Sequence, residues 1–170
     1  MRKVIAIAAA PGFILGIYIF AASFFGLTMD KLGPKAFLLH LGIFALGIPL
    51  VFVERWSKGV DPFRGKPRWV VHSMQILFTL FVVVFLVFLA LSHAASPEFL
   101  NGEYVLNSHG KIIGYISERD YLFLKGWELR LFASGWIAVY YALMMHWWFP
   151  RQEPWAVVMP DETDSLPSSR

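Results

Sequence analysis

His72, Gln75 and Thr79 stand at i, i+3 and i+7 within VVHSMQILFTLFVVVFLVFLAL, the apolar run of residues 70–91. On a helix that spacing puts all three on one face. Exposing an amide to hydrocarbon is costly, so the face is expected to look inward, toward other helices. His72 lies about one turn inside this run, and His146 about one turn from the end of the last apolar run. The two are expected at similar depth, giving an interhelical polar set of His72, Gln75, Thr79 and His146. His40 and His93 form a second level on the opposite side.

Two layers of paired imidazoles in a helix bundle are the arrangement of a b-type di-haem membrane cytochrome. On that alternative His40, His72, His93 and His146 are axial ligands and haem b is the cofactor. The spacing argues against it. His72 and His93 are 21 residues apart, about 31 Å along a helix, which puts both levels at the interfaces rather than within the hydrocarbon. The expectation is therefore no cofactor, with the polar groups bonded between helices to fix packing.

Other chemistry fares no better. Ser73 adjoins His72, but neighbouring helix positions diverge by about 100° and make no nucleophile–base pair. His109 and Asp120 have no partner nucleophile at a useful spacing. The chain has no cysteine, which excludes disulfides, thiolate-held zinc or iron–sulfur clusters and CxxCH haem attachment. No Asp, Glu, Lys or Arg falls inside an apolar run, which argues against the third class, an ion-coupled transporter or channel. A net charge of +3 is met by basic residues flanking apolar segments and carries no implication of nucleic acid. The chain reads as non-enzymatic, with no catalytic residue.

The elements that must position these residues follow from composition. Of 170 residues 57% are hydrophobic and 16% charged, against about 25% charged in an average soluble domain. The apolar residues gather in four blocks, about residues 4–27, 36–53, 70–91 and 131–149, and the expected fold is an all-α membrane protein, a four-transmembrane-helix bundle occupying residues 1–150. Ala21-Ala22-Ser23 would suit a signal peptidase, but the first run is too long for a signal peptide and reads as an uncleaved helix. Pro11 should kink it, and Gly12 with Gly16 forms a GxxxG pair that admits a close helix neighbour, within the chain before a second copy. ERWSKGVDPFRGKPR, residues 54–68, holds five Lys/Arg between Trp56 and Trp69, which puts this loop and both termini in the cytoplasm. Residues 151–170 are rich in Pro and acid and read as a disordered cytoplasmic tail.

Residues 92–130 are the one sizeable extracytoplasmic insert. Tyr104–Leu106 and Ile112–Ile116 favour strands, with Asn107-Ser108-His109-Gly110 as the turn between them: a β-hairpin. Ser117 is an N-cap with acidic residues after it, opening a helix that continues through Tyr121, Leu124 and Trp127 into the fourth block. The insert reads as a lid whose contact surface is Tyr104, Leu106, His109, Gly110, Ile113 and Tyr115. The stretch from GEYVLNSHGKIIGYISERDY to ELRLFASGW, residues 102–136, resembles a segment of small, functionally uncharacterised bacterial inner-membrane proteins. That resemblance implies a bacterial inner-membrane location and no activity, cofactor or site residue. The expected role is an accessory, assembly or interaction protein, in contact with membrane lipid and with a membrane or periplasmic protein partner.

Overall fold

The computed structural model describes residues 2–53 and 65–149. The reading of Arg55, Lys58 and Arg64 as topology determinants and of residues 151–170 as a tail falls outside them. Five helices and three strands follow in order: α1 (Arg2–Ala22), α2 (Met29–Leu32), α3 (Lys35–Val53), α4 (Arg68–Ser92), β1 (Ser96–Leu100), β2 (Glu103–Ser108), β3 (Lys111–Tyr115) and α5 (Glu118–Trp148).

The four-span bundle does not hold. Among the described residues only Lys3–Phe25 and Arg68–Ser92 are long and apolar enough to cross a membrane, and the apolar part of α3 is the shorter Lys35–Ile48. The second half of α5 fails for a different reason: Trp136, Tyr140, Tyr141, His146 and Trp147 interrupt its aliphatic residues. These large side chains are what the other helices pack on. Tyr140, Tyr141, Trp136 and Trp147 are all buried, and Trp136 and Trp147 almost completely so.

α5 is the hub. α1 runs antiparallel to it along a continuous seam: Lys3 lies over the Trp148 ring, Gly12 against Tyr140, Gly16 against Ile137, and the Ser23 carbonyl on Arg130. Ala6, Ala9, Gly12 and Gly16 make the seam possible, because small side chains let the backbone approach the α5 aromatics. The GxxxG pair thus packs within the chain. The helix is continuous through Pro11 and stops at a short 3₁₀ turn, Ser23–Phe25, closed by Gly26 at φ +89°.

α4 is antiparallel to α5 on another side. Phe81 lies at Gly135, and the Ser73 hydroxyl is 2.6 Å from that of Tyr141. Ser73 already donates to the Val70 carbonyl at 2.9 Å, so Tyr141 is the donor. α3 meets α5 through Tyr140, whose hydroxyl donates to the Leu39 carbonyl. The core gathers on these contacts: Ala9, Ile19, Ala36, Leu39, Leu129, Ala133, Trp136, Tyr140 and Leu143.

The insert is a three-stranded antiparallel sheet in the order β1-β2-β3, one strand more than the expected hairpin. The added strand is SPEFL, whose Pro97 is tolerated because β1 is an edge. Both turns have two residues at positive φ, Asn101 (52°) with Gly102 (88°) and His109 (53°) with Gly110 (82°). These are the left-handed pairs of a two-residue hairpin whose twist matches the strands. α5 begins at Ser117 as expected, its Oγ accepting from the Asp120 backbone N–H at 3.1 Å. It then continues for 31 residues.

Candidate interaction site

β1 and β2 sit against the first turns of α5, and a ladder of rings makes the joint. Phe99 and Tyr104 have centroids 4.8 Å apart, and Tyr104 and Tyr121 also 4.8 Å. The Tyr121 hydroxyl donates to Asp30 of α2 at 2.6 Å. Lys125 lies 3.7 Å from the same Asp30 and 2.9 Å from Glu128. Burial first, then the hydrogen bond to Asp30 and the charges of Asp30 and Glu128, push the Tyr121 phenol well above its ordinary pKa of 10.0. About two and a half turns beyond Tyr121, the Arg130 guanidinium stacks between Phe24 at 4.4 Å and Trp127 at 4.8 Å while donating to the Ser23 carbonyl at 3.1 Å. This polar cluster clamps the end of α1, α2 and the sheet to α5. Sequence reasoning missed it because Asp30 and Tyr121 are 91 residues apart.

Of the expected contact surface, Tyr104 turns inward onto Tyr121 and Leu106 is half-buried. Ile113 and Tyr115 of β3 do the opposite. They are 53% and 69% exposed, and Ile112 beside them is 48% exposed. β3 is an edge strand, and Ile113 is the extra residue of a bulge between the pairs Leu106–Gly114 and Asn107–Ile112. His109 and Gly110 are the exposed turn that delivers this edge.

The polar stripe of α4 is placed differently from its expectation. His72 and Thr79 are exposed on the side of the helix away from α5, and Gln75 is exposed at the rim of the groove between α4 and α5. The face toward α5 carries Val70, Ser73, Phe81 and Val84, and Ser73 makes the interhelical hydrogen bond. His72 Nδ1 and Gln75 Oε1 lie 3.3 Å apart, within the stripe itself. His146 is half-buried beside Trp147 and reaches a groove of about 480 Å³ between α4 and α5, which Gln75, Met74 and Leu143 also line.

The remaining histidines have separate settings. His40 of α3 lies edge-on to Trp136 and Phe132, at 5.2 and 5.6 Å, with Nδ1 3.2 Å from the Ala36 carbonyl. His93 is the exposed C-cap of α4 in a left-handed conformation, φ 53°. Ser73, beside His72, is engaged by Val70 and Tyr141, and Asp120 by the Ser117 cap. Among the described residues, no three His, Asp or Glu converge as a metal site. The groups that do converge hold helices together, and among the described residues the β3 edge and the outer faces of α1, α3 and α4 stay uncovered. No protein-family model matches this chain, and no curated protein or solved structure is similar to it.

Proposed function

We propose that the protein is a non-enzymatic accessory protein of a bacterial inner membrane, anchored by α1 and α4, which binds a protein partner through the free edge of its sheet. The observation that carries this reading is β3. A strand whose backbone edge is unpaired and whose Ile112, Ile113 and Tyr115 are all exposed is a template for a further strand. Lys111 and the bulge at Ile113 blunt the turn end of this edge, and Tyr115 beyond them stays open. The ring ladder through Tyr104 and Tyr121 supports the edge on a 31-residue helix, so it is presented rigidly, which lowers the ordering cost of binding.

Orientation follows from charge. Arg2, Lys3, Lys66 and Arg68 lie at the ends of α1 and α4 remote from the sheet. For the basic end of α4 the positive-inside rule gives the cytoplasmic side, and for the sheet that follows its other end the outside. The partner is accordingly a periplasmic protein or the outer part of a membrane protein.

The test is a photo-reactive amino acid at Ile113 or Tyr115, and at Tyr104 for comparison, in the full chain in its membrane. A defined adduct with a second protein at the two edge positions, with Tyr104 reporting contacts inside the chain, is the expected result. Adducts confined to this chain at all three positions would refute the reading.

A further inference from the structure

The groove of about 480 Å³ between α4 and α5 is lined by Met74, Gln75 and Phe78 on one side and Ala138, Ala142 and His146 on the other. Side-chain size explains it. Tyr141 meets Ser73 and holds the helices together beside the groove. Ala138 and Ala142, one turn apart on one ridge of α5, leave the space opposite Met74 and Phe78 unfilled. In hydrocarbon an unfilled trough forfeits dispersion contacts, and a flexible alkyl chain can follow its length.

The trough leads to a basic end. Arg68 and Gln75 are seven residues apart, so Arg68 continues the ridge of Gln75 and Phe78 to the start of α4, about 10 Å away. Arg68 is exposed, and no described residue pairs with its guanidinium. Lys66 donates to the Phe149 carbonyl at 2.9 Å, which fixes a second cation where the end of α5 meets the start of α4. The described Asp and Glu side chains all lie elsewhere, on α2, the sheet or the first three turns of α5. Between the cations and the apolar trough stands Gln75. Its oxygen faces His72, and no described residue receives a hydrogen bond from its amide nitrogen. An amide left in hydrocarbon without a partner is costly.

We propose that the trough seats one anionic phospholipid of the cytoplasmic leaflet. Its phosphate lies on Arg68, a glycerol ester carbonyl accepts from the Gln75 amide, and one acyl chain follows Phe78, Ala138 and Ala142. This rests on the reading that α4 crosses a membrane with its basic end in the cytoplasm. Cation, amide donor and apolar trough then come in the order of phosphate, ester and alkyl chain in a lipid inserted from that side. Helix side chains lean toward the N-terminus, so Gln75 reaches back toward Arg68 and the ester level. Charge selects the headgroup. The ammonium of a zwitterionic lipid would meet Arg68 and Lys66 with no described carboxylate to receive it, whereas an anionic headgroup adds no such repulsion.

The full chain, purified in mild neutral detergent, is titrated with phosphatidylglycerol and with phosphatidylcholine of the same chain length, and retained lipid is counted by native mass spectrometry. One phosphatidylglycerol is expected to be retained at about fivefold lower concentration than phosphatidylcholine, the scale of one basic residue at an anionic surface. Arg68→Gln, at an exposed position, should abolish the preference, and Gln75→Leu should weaken both lipids alike. Ala142→Phe fills the trough and should release both. Ala138→Leu, a smaller filling, should do the same and guards against a variant that fails to fold. Equal retention of the two lipids, a preference that survives Arg68→Gln, or retention that survives both fillings overturns the seat. So does a photo-reactive amino acid at Ala142 that captures a protein, or another segment of this chain, in place of lipid. Alkaline extraction of native membranes keeps the two readings apart. A chain that stays in the membrane and shows no preference loses the lipid seat alone, and a chain released by alkali loses the membrane reading with it.

Discussion

The Tyr140 hydroxyl donates to the Leu39 carbonyl at 2.7 Å, and the ring that carries it is wedged between two glycines on two other helices. Gly12 of α1 lies flat on the ring, and a Cβ there would meet ring carbons Cε1, Cζ and Cδ1. Gly42 of α3 sits over the hydroxyl, and a Cβ there would meet the oxygen, with Cζ next at 3.4 Å. One side chain of α5 thus fixes the approach of both α1 and α3.

That geometry separates two substitutions of the same kind. Gly42→Ala should cost about 1–3 kcal/mol by overpacking, and most of this should vanish in a Tyr140→Phe background, where the Cβ finds only a ring carbon at ordinary contact distance. Gly12→Ala should cost a similar amount and gain nothing from Tyr140→Phe, because its clash is with ring carbons. Thermal unfolding in detergent across both double-mutant cycles checks this. Equal behaviour of the two glycines would mean that Tyr140 is not the shared wedge.

The α4 cap makes a second prediction. His93 at φ 53° and Ala94 at φ 58° are both left-handed non-glycine residues, and the Ala94 N–H closes back to the Leu89 carbonyl at 3.1 Å. Glycine is at ease at such a helix end. Relief of the left-handed strain and the greater freedom of an unfolded glycine oppose each other. His93→Gly should therefore leave stability unchanged or raise it by up to about 1 kcal/mol. A large loss would point instead to a role for the imidazole, and an accompanying loss of visible absorbance from the purified protein would revive haem ligation.

Tyr121 makes the pH prediction. Its folded pKa is raised and the unfolded value is near 10.0, so the neutral phenol is favoured in the fold. The contribution of the Tyr121–Asp30 bond is complete below pH 10 and is lost as pH rises above it, when the unfolded chain releases a proton that the fold retains. Tyr121→Phe should cost about 1 kcal/mol at neutral pH and flatten the decline in stability above pH 10. Tyrosinate absorbance should show one fewer late-titrating phenol in the variant than in the wild type.

Much of this was legible in local chemistry. The length of α4 and the Ser117 cap follow from runs and dipeptides, and the β2–β3 hairpin from strand formers around a turn. β1 had a signal too, since Asn101-Gly102 is a strong hairpin turn, but Pro97 and Glu98 disguise the strand before it. What periodicity could not supply was direction. The spacing of His72, Gln75 and Thr79 defines a face, and whether it turns inward depends on which other face fits the partner. Here Ser73 to Tyr141 and Phe81 to Gly135 fit α5 better, both contacts between residues more than 50 positions apart. The four-span expectation failed similarly, because a block rich in Trp and Tyr was counted with the aliphatic ones although its burial comes from three neighbouring helices.

The last prediction concerns the edge. Gly110 sits at φ +82° with nothing within 4 Å of a built Cβ, so substitution there is opposed by backbone conformation alone. Val is β-branched and resists that region strongly, at a cost of order 1–3 kcal/mol. The strain falls on the β2–β3 turn and spares the core, which lies on α1, α3 and α5. Gly110→Val should leave membrane integration unchanged, with reporter fusions still placing Arg64 in the cytoplasm and His109 outside. It should nonetheless weaken the photo-adduct from Ile113, because β3 loses its register on β2. Gly110→Ala, with a milder penalty, should fall between. Gly102→Val strains the other hairpin turn at φ +88° and should disturb β1 while leaving the β3 edge in place. If Gly110→Val kept the Ile113 adduct and Gly102→Val lost it, the partner would bind along β1, and the assignment of the β3 edge would be wrong.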